Sequence, residues 1–243
     1  MPKLEADFKI RVSDLSRNNR LKESTIFELL QEVACEHAKN MGVGYDDLIV
    51  RKLAWALSKI DLHIYAYPKA REDIRIETWA ALRTKIASER DFIAYDSQGN
   101  VIFEAQSLWV LFDIEKRRCE RLSVLKDWQE LKDKRANADI HKKLEKVSQG
   151  TYIKEYRPRK NDIDLNNHLN NAIYTALAID SLPLDFYQSH LARNISISFL
   201  AEVKEEDIIE AKCDICENKS LHSIYKKDSN TEFARLNIQW QEI

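Results

Sequence analysis

A short polar stretch that occurs twice constrains the fold of this chain more than anything else in it. Arg11-Val-Ser-Asp14-Leu-Ser16-Arg-Asn18-Asn19-Arg20-Leu21 and Arg159-Lys-Asn-Asp162-Ile-Asp164-Leu-Asn166-Asn167-His168-Leu169 share the Arg, an Asp, both Asn and the final Leu at one fixed offset. The segments downstream of the two copies match as well. After the first, Thr25-Ile-Phe-Glu28 reads as a capping box opening a helix with Ile26, Leu29, Leu30, Val33, Ala34, His37 and Ala38 inside, ending near Met41-Gly42. After the second, Asn170 or Asn171 is a natural N-cap, and a shorter helix is expected from about Ala172 to Asp180, before Pro183. Strands then run in the same order. Ile60 to Lys69 with Asp73-Ile74 answers Ile195 to Lys204 with Asp207-Ile208, and Tyr95, Asn100 and Phe103 answer Tyr225, Asn230 and Phe233. The chain is a duplicated α+β unit.

The two copies differ in their ionisable groups. Asp164, His168 and Glu202 stand opposite Ser16, Arg20 and Tyr67, whereas Asn166 keeps its counterpart Asn18. Asp14/Asp162 and Asn19/Asn167 persist, as residues of a shared turn would. Acid, base and imidazole survive in the later copy alone, which fits one chemically active half. The polar loop would feed a helix N-terminus, whose backbone N–H groups favour developing negative charge.

Composition closes off other chemistries. Gly42, Gly44, Gly99 and Gly150 are the only glycines, so there is no dinucleotide fingerprint, phosphate loop or nucleophile elbow. With 38 basic against 40 acidic residues, nothing favours nucleic acid. No apolar run reaches membrane-spanning length, and the start lacks a signal- or transit-peptide profile. Cys35, Cys119, Cys213 and Cys216 form no disulfide framework, and a reduced, cytoplasmic protein is the expectation. From Glu115 to Gly150 the chain is charged and helix-permissive, with Leu122, Leu125, Trp128 and Leu131 spaced along it. It reads as a linker of one or two helices, giving an N-terminal half over 1–115, a linker over 116–150 and a C-terminal half over 151–243.

Asp162-Ile-Asp-Leu-Asn-Asn-His-Leu-Asn-Asn-Ala-Ile-Tyr174 resembles the D-x-D-x-N-x-H-V-N-N-x-x-Y signature of acyl-acyl-carrier-protein (acyl-ACP) thioesterases, and Phe199-Leu-Ala-Glu202-Val203 resembles their Y-R-R-E-C stretch. The resemblance covers nearly the whole chain and implies a tandem (double) hot-dog fold, each half a curled antiparallel sheet around a central helix. Without a transit peptide the chain is expected to be a bacterial member. The resemblance implies hydrolysis of fatty acyl-ACP to free fatty acid and holo-ACP, terminating fatty acid synthesis. Asp164, Asn166, His168 and Glu202 would be the catalytic residues, with no cofactor and no metal. Its implied partner is an acyl carrier protein bearing a phosphopantetheine-linked chain, with no nucleic acid or membrane and with either a monomer or a homodimer open. Val203 stands where much of the plant family has Cys, so no thiol nucleophile can act there.

On that reading an activated water is the nucleophile, with Glu202 or Asp164 as base and direct carboxylate attack as the other route. Asn166 would hold water or substrate, His168 would orient a carboxylate, and N–H groups opening the second helix would complete the oxyanion site. The degenerate first half would bind the acyl chain through Val33, Ala34, Ala38, Met41, Trp55 and Leu57, for each of which core packing is the simpler role. Arg157, Arg159, Lys160 and Arg193 are candidates for steering the acidic carrier. The alternatives are an acyl-CoA thioesterase, separated by thiol release from matched acyl-ACP and acyl-CoA, and a non-catalytic acyl-binding protein, against which loss of turnover on Asp164, His168 or Glu202 substitution discriminates.

Overall fold

The repeat is present in three dimensions as two units of matching topology. A computed structural model of the chain describes residues 2–125 and 127–243, so Met1 and Lys126, which fall in the expected first half and linker, lie outside the described residues. Unit 1 comprises Met1–Lys22 and Glu28–Ile140, and unit 2 comprises Glu23–Phe27 and His141–Ile243. In chain order the elements begin with β1 (Lys3–Lys9), α1 (Glu23–Asn40, whose first turn is assigned to unit 2), α2 (Tyr45–Ile49), β2 (Leu53–Ile64), β3 (Asp73–Arg83), β4 (Ala87–Tyr95), β5 (Val101–Asp113) and the short β6 (Arg118–Cys119). Next come β7 (Tyr152–Tyr156), α3 (Asn171–Asp180), α4 (Leu184–Ser189), β8 (His190–Phe199), β9 (Ile209–Cys216), β10 (Lys219–Lys226) and β11 (Glu232–Glu242). Strand order is β1-β3-β4-β5-β2 in unit 1 and β7-β9-β10-β11-β8 in unit 2, with the pairs inside each run antiparallel. This is the α+β, hot-dog arrangement anticipated for each half.

Each helix forms for local reasons and is held by burial. Ile26, Phe27, Leu30, Val33, Ala34, His37 and Ala38 on α1 are all buried, at helical spacing. Its end is set by Gly42 at φ +72, where Val43 N–H returns to the Ala38 carbonyl at 3.0 Å, a Schellman closure that favours glycine. The expected Thr25–Glu28 capping box does not form. The helix starts earlier, with Lys22 as N-cap and its N–H bonded to the Asp14 carbonyl at 3.0 Å, so the repeated loop, not Thr25, sets its origin. α3 spans nearly the expected residues, and Asn170 caps it by accepting from Ala172 N at 2.9 Å. It buries Ala172, Tyr174, Thr175, Leu177 and Ala178 against β7, β9, β10 and β11.

The hairpin correspondence needs a one-residue correction. Tyr95 pairs with Val101 and Ala94 with Phe103, but Tyr225 pairs with Glu232 and Ile224 with Ala234. The second turn is one residue longer, so Phe103 matches Ala234 in position and not Phe233.

The expected helical linker is absent among the described residues. After a 3-10 turn at Leu122–Val124, residues 127–150 contain no helix. The reason is tertiary. β3 and β4 turn Glu77, Glu89 and Asp91 inward on one face of the unit 1 sheet, and the strap supplies what they need. Lys134 pairs with Glu77, and Arg135 reaches Glu89 at 2.7 Å and Asp91 at 2.9 Å. Strap N–H groups bond outward: Leu131 to the Ala80 carbonyl at 2.9 Å, Ala136 to Asp91 at 2.8 Å and Asp139 to Asp61 at 2.9 Å. A helix would turn those donors onto its own carbonyls and strand the buried acids, each at a cost of several kcal/mol. That outweighs a few tenths per residue of helix propensity. Past Ile140 the strap joins unit 2, where Val147 N–H donates to Ser223 and Tyr225 O–H to the Val147 carbonyl. No helix of the described residues is long and apolar enough to cross a membrane.

Candidate active site

The second copy of the polar loop is built around a buried, fully hydrogen-bonded carboxylate. Asp162, 2 % exposed, ends a 3-10 turn and accepts from Arg159 N at 2.7 Å, Arg159 Nη2 at 2.9 Å and the Tyr156 hydroxyl. Burial pushes this carboxyl up, but the bonds from Arg159 and Tyr156 outweigh it and hold the group below the usual carboxylate range. Arg159 is thereby tied to the turn while its side chain stays 75 % exposed. Arg157 lies 3.9 Å from Glu155, Arg193 donates to Gln241, and Lys160 is exposed.

From this anchor the chain doubles back. Asp164 N–H donates to the His168 carbonyl at 2.8 Å, Asn167 N–H to the Asp164 carbonyl at 3.0 Å, and Ile163 bridges Leu169. Asn167 sits at φ 60, a left-handed turn position that Asn tolerates well. Asp164 Oδ1 accepts from Asn166 N at 2.8 Å and His168 N at 3.2 Å, so this carboxylate also braces the turn.

Glu202 arrives from the far end of β8. Phe199 meets Tyr174 of α3 edge-on at 5.2 Å, and the Tyr174 hydroxyl, raised by burial, is hydrogen-bonded to the Val203 backbone. Val203 is fully buried, and its carbonyl accepts Leu169 N–H at 2.9 Å. That bond stitches the residue after His168 to the residue after Glu202. His168 Nε2 consequently lies 3.3 Å from Glu202 Oε2, with side chains 28 % and 36 % exposed. The imidazole edge and the carboxylate thus face one another at ion-pair distance. His168 is therefore no sealed core imidazole.

Of the four sequence-derived residues, Asp164, Asn166 and His168 share one turn, and Glu202 is brought to His168 from the segment that follows β8. Asn166 is exposed on the turn. The expected oxyanion contribution from the helix start is reduced, because Ala172 N is taken by Asn170 Oδ1 and Ile173 N by the Asn170 carbonyl. The supporting roles of Tyr156 and Tyr174 were not assigned from sequence. Tyr174 stood in the motif, but Tyr156 offers no local signal.

A second cluster in unit 2 is sealed off. Ser181 Oγ–H donates to the Ala178 carbonyl, so His222 Nδ1–H donates to Ser181 and Nε2 accepts from Ser220, whose oxygen takes Trp240 Nε1–H. Burial drives the His222 pKa down to about 3, and the ring stays neutral. Cys213 is buried beside it while Cys216 is exposed. Strand alternation thus separates the two thiols, and they cannot share a metal.

Comparison with known proteins agrees with this architecture. Residues 2–129 match the acyl-ACP thioesterase N-terminal domain and residues 145–242 the C-terminal domain. An oleoyl-ACP thioesterase of Arabidopsis thaliana chloroplasts is 30% identical over 228 residues, which is 84% of this chain and 60% of that protein. The chain thus spans about three-fifths of the length of such plant relatives. An acyl-ACP thioesterase from Bacteroides thetaiotaomicron superposes with a TM-score of 0.91 at 22% identity, covering 99% of this chain and 98% of the other. The 12:0-ACP thioesterase of Umbellularia californica gives 0.85 at 22% identity, covering 100% and 98%. The paired folds and the two family matches, which between them take in nearly every residue, establish that this chain belongs to the acyl-ACP thioesterase family.

Proposed function

We propose that the protein hydrolyses the thioester of fatty acyl-ACP, releasing free fatty acid and holo-ACP and so ending chain elongation. The observation that carries this reading is the 3.3 Å approach of His168 Nε2 to Glu202 Oε2 at an accessible turn. Glu202 is the general base. It takes a proton from water as the water oxygen adds to the thioester carbonyl carbon; the tetrahedral intermediate then expels the pantetheine thiolate, to which the proton is returned. His168 aligns the carboxylate. Asp164 is a positioning residue, since its Oδ1 already accepts two backbone N–H groups. The Asn166 amide is offered to water or to the oxyanion. With Val203 buried and apolar, the water route is favoured over a thiol.

The first unit holds the acyl chain in this reading. Val33, Ala34 and Ala38 are core residues there, and Met41, Trp55 and Trp128 pack against the cluster of Ala38, Leu53, Leu111, Leu122 and Leu125. Four unpaired cysteines fit a reducing, cytoplasmic setting. The test is thiol release from matched acyl-ACP and acyl-CoA. Turnover of acyl-ACP at higher kcat/KM is expected; a preference for CoA would move the assignment to an acyl-CoA thioesterase, and turnover of neither would refute hydrolysis.

A further inference from the structure

Unit 1 contains a buried cation with no counter-charge. Arg90 of β4 is 7 % exposed and points toward α1. Its Nη1 donates to His37 Nδ1 at 2.8 Å and to Thr78 Oγ1 at 3.1 Å. His37 is fully buried, and because Nδ1 accepts from a guanidinium the ring is neutral. The adjacent acids Glu89 and Asp91 do not help: strand alternation sends them to the opposite face, where Arg135 takes both. The remaining ionisable neighbour is the Cys35 thiol, held above its usual range by desolvation and by Glu32 and therefore protonated. Burial brings Arg90 down only to about 10, so it is charged at neutral pH.

The guanidinium has donors to spare. Nε and Nη2 have no hydrogen-bond partner among the described residues, yet neither is a sealed atom. The residues opposite Arg90 on both neighbouring strands, Ala80 and Ser107, are small. An unpaired buried charge is unfavourable unless something completes it, and a planar two-donor edge matches a carboxylate.

We propose that Arg90, with His37 and Thr78 fixing its orientation, binds a carboxylate carried on an apolar chain inside unit 1. The proposal rests on the acyl-substrate reading above for the nature of the chain. Two sources share this chemistry: the released fatty acid itself, and an acyl chain with a second carboxylate at its far end.

The test measures binding without turnover. Dodecanoate and methyl dodecanoate are titrated calorimetrically into the full chain carrying Glu202→Gln, with and without Arg90→Met. Dodecanoate is expected to bind at least tenfold tighter than the ester, and Arg90→Met to erase that preference while leaving the ester unchanged. Arg90→Met should also raise the melting temperature of the unliganded protein by removing an unpaired charge. Should Arg90→Met fail to fold, Arg90→Lys, which keeps the charge but loses the fork, is expected to bind the acid several-fold more weakly. Equal affinities for acid and ester, or acid binding untouched by either substitution, would overturn the proposal. Because no catalysis is needed, these outcomes are independent of whether acyl-ACP is hydrolysed. Turnover of pantetheine thioesters then separates the sources: preference for the dodecanedioic half-thioester over the dodecanoyl thioester assigns the carboxylate to the chain end, and no preference assigns it to the released acid.

Discussion

The two copies of the polar loop have the same backbone and different chemistry. In the first, Ser16 N–H reaches the Arg20 carbonyl at 2.7 Å, Asn19 N–H the Ser16 carbonyl at 3.0 Å, and Lys22 N–H the Asp14 carbonyl at 3.0 Å. In the second, the corresponding bonds run from Asp164 to His168 at 2.8 Å, Asn167 to Asp164 at 3.0 Å and Asn170 to Asp162 at 2.8 Å. Both carry an Asn at positive φ, 55 for Asn19 and 60 for Asn167, and both close on an isolated bridge to a buried Leu. Asp14 is clasped by Arg11 as Asp162 is by Arg159. The first loop builds this turn with Ser and Arg where the second has Asp and His. The fold therefore does not require Asp164 or His168, and their presence in one copy alone calls for a reason other than stability.

The largest expected effect breaks the comparison on the chemical side. Glu202→Gln should lower kcat for acyl-ACP by about a hundredfold or more, and His168→Gln by about a hundredfold, with urea midpoints close to the parent. A variant that loses activity only in step with its stability would show these residues to be structural. Next are the shared anchors. Asp14→Asn and Asp162→Asn should each cost about 1–3 kcal/mol in urea unfolding, because each removes the charge from a buried carboxylate that accepts several hydrogen bonds. Both carboxyls are held below their ordinary value despite burial, Asp14 by Arg11 and Asp162 by Arg159 and Tyr156. The unfolded chain therefore binds protons first as pH falls, so this stabilisation is present at neutral pH and is lost below about pH 4. The Asn variants should have a flatter acid limb, measured as urea midpoint against pH.

Smaller again, Asn19→Ala and Asn167→Ala should each destabilise by about 1–2 kcal/mol through the left-handed backbone, with glycine restoring most of it. The smallest effect sharpens the comparison from the other direction. Ser16→Asp with Arg20→His rebuilds the second loop's residues in the first and should change stability by no more than about 0.5 kcal/mol, with no gain in thiol release. A large loss there would mean the two turns are less interchangeable than their hydrogen bonds indicate.

The turn was legible in the sequence because its determinants are local: Arg and Asp three positions apart, and an Asn suited to positive φ. So were α3 and its Asn170 cap, and the duplication itself. The strap was not, since Lys134 and Arg135 look like a solvated helical face until Glu77, Glu89 and Asp91 are seen buried opposite them. Nor was Arg90 readable as an unpaired cation, flanked as it is in sequence by two acids that the pleat turns away from it.

The amino-acid sequence by itself determined the two-unit plan and the identity of the residues that could carry chemistry, because repeat spacing and turn preferences act over a few positions. Tertiary structure decided which of those residues meet. Glu202 reaches His168 only because the Val203 carbonyl takes Leu169 N–H and Phe199 lodges against Tyr174, contacts between segments far apart in the chain that no local pattern encodes.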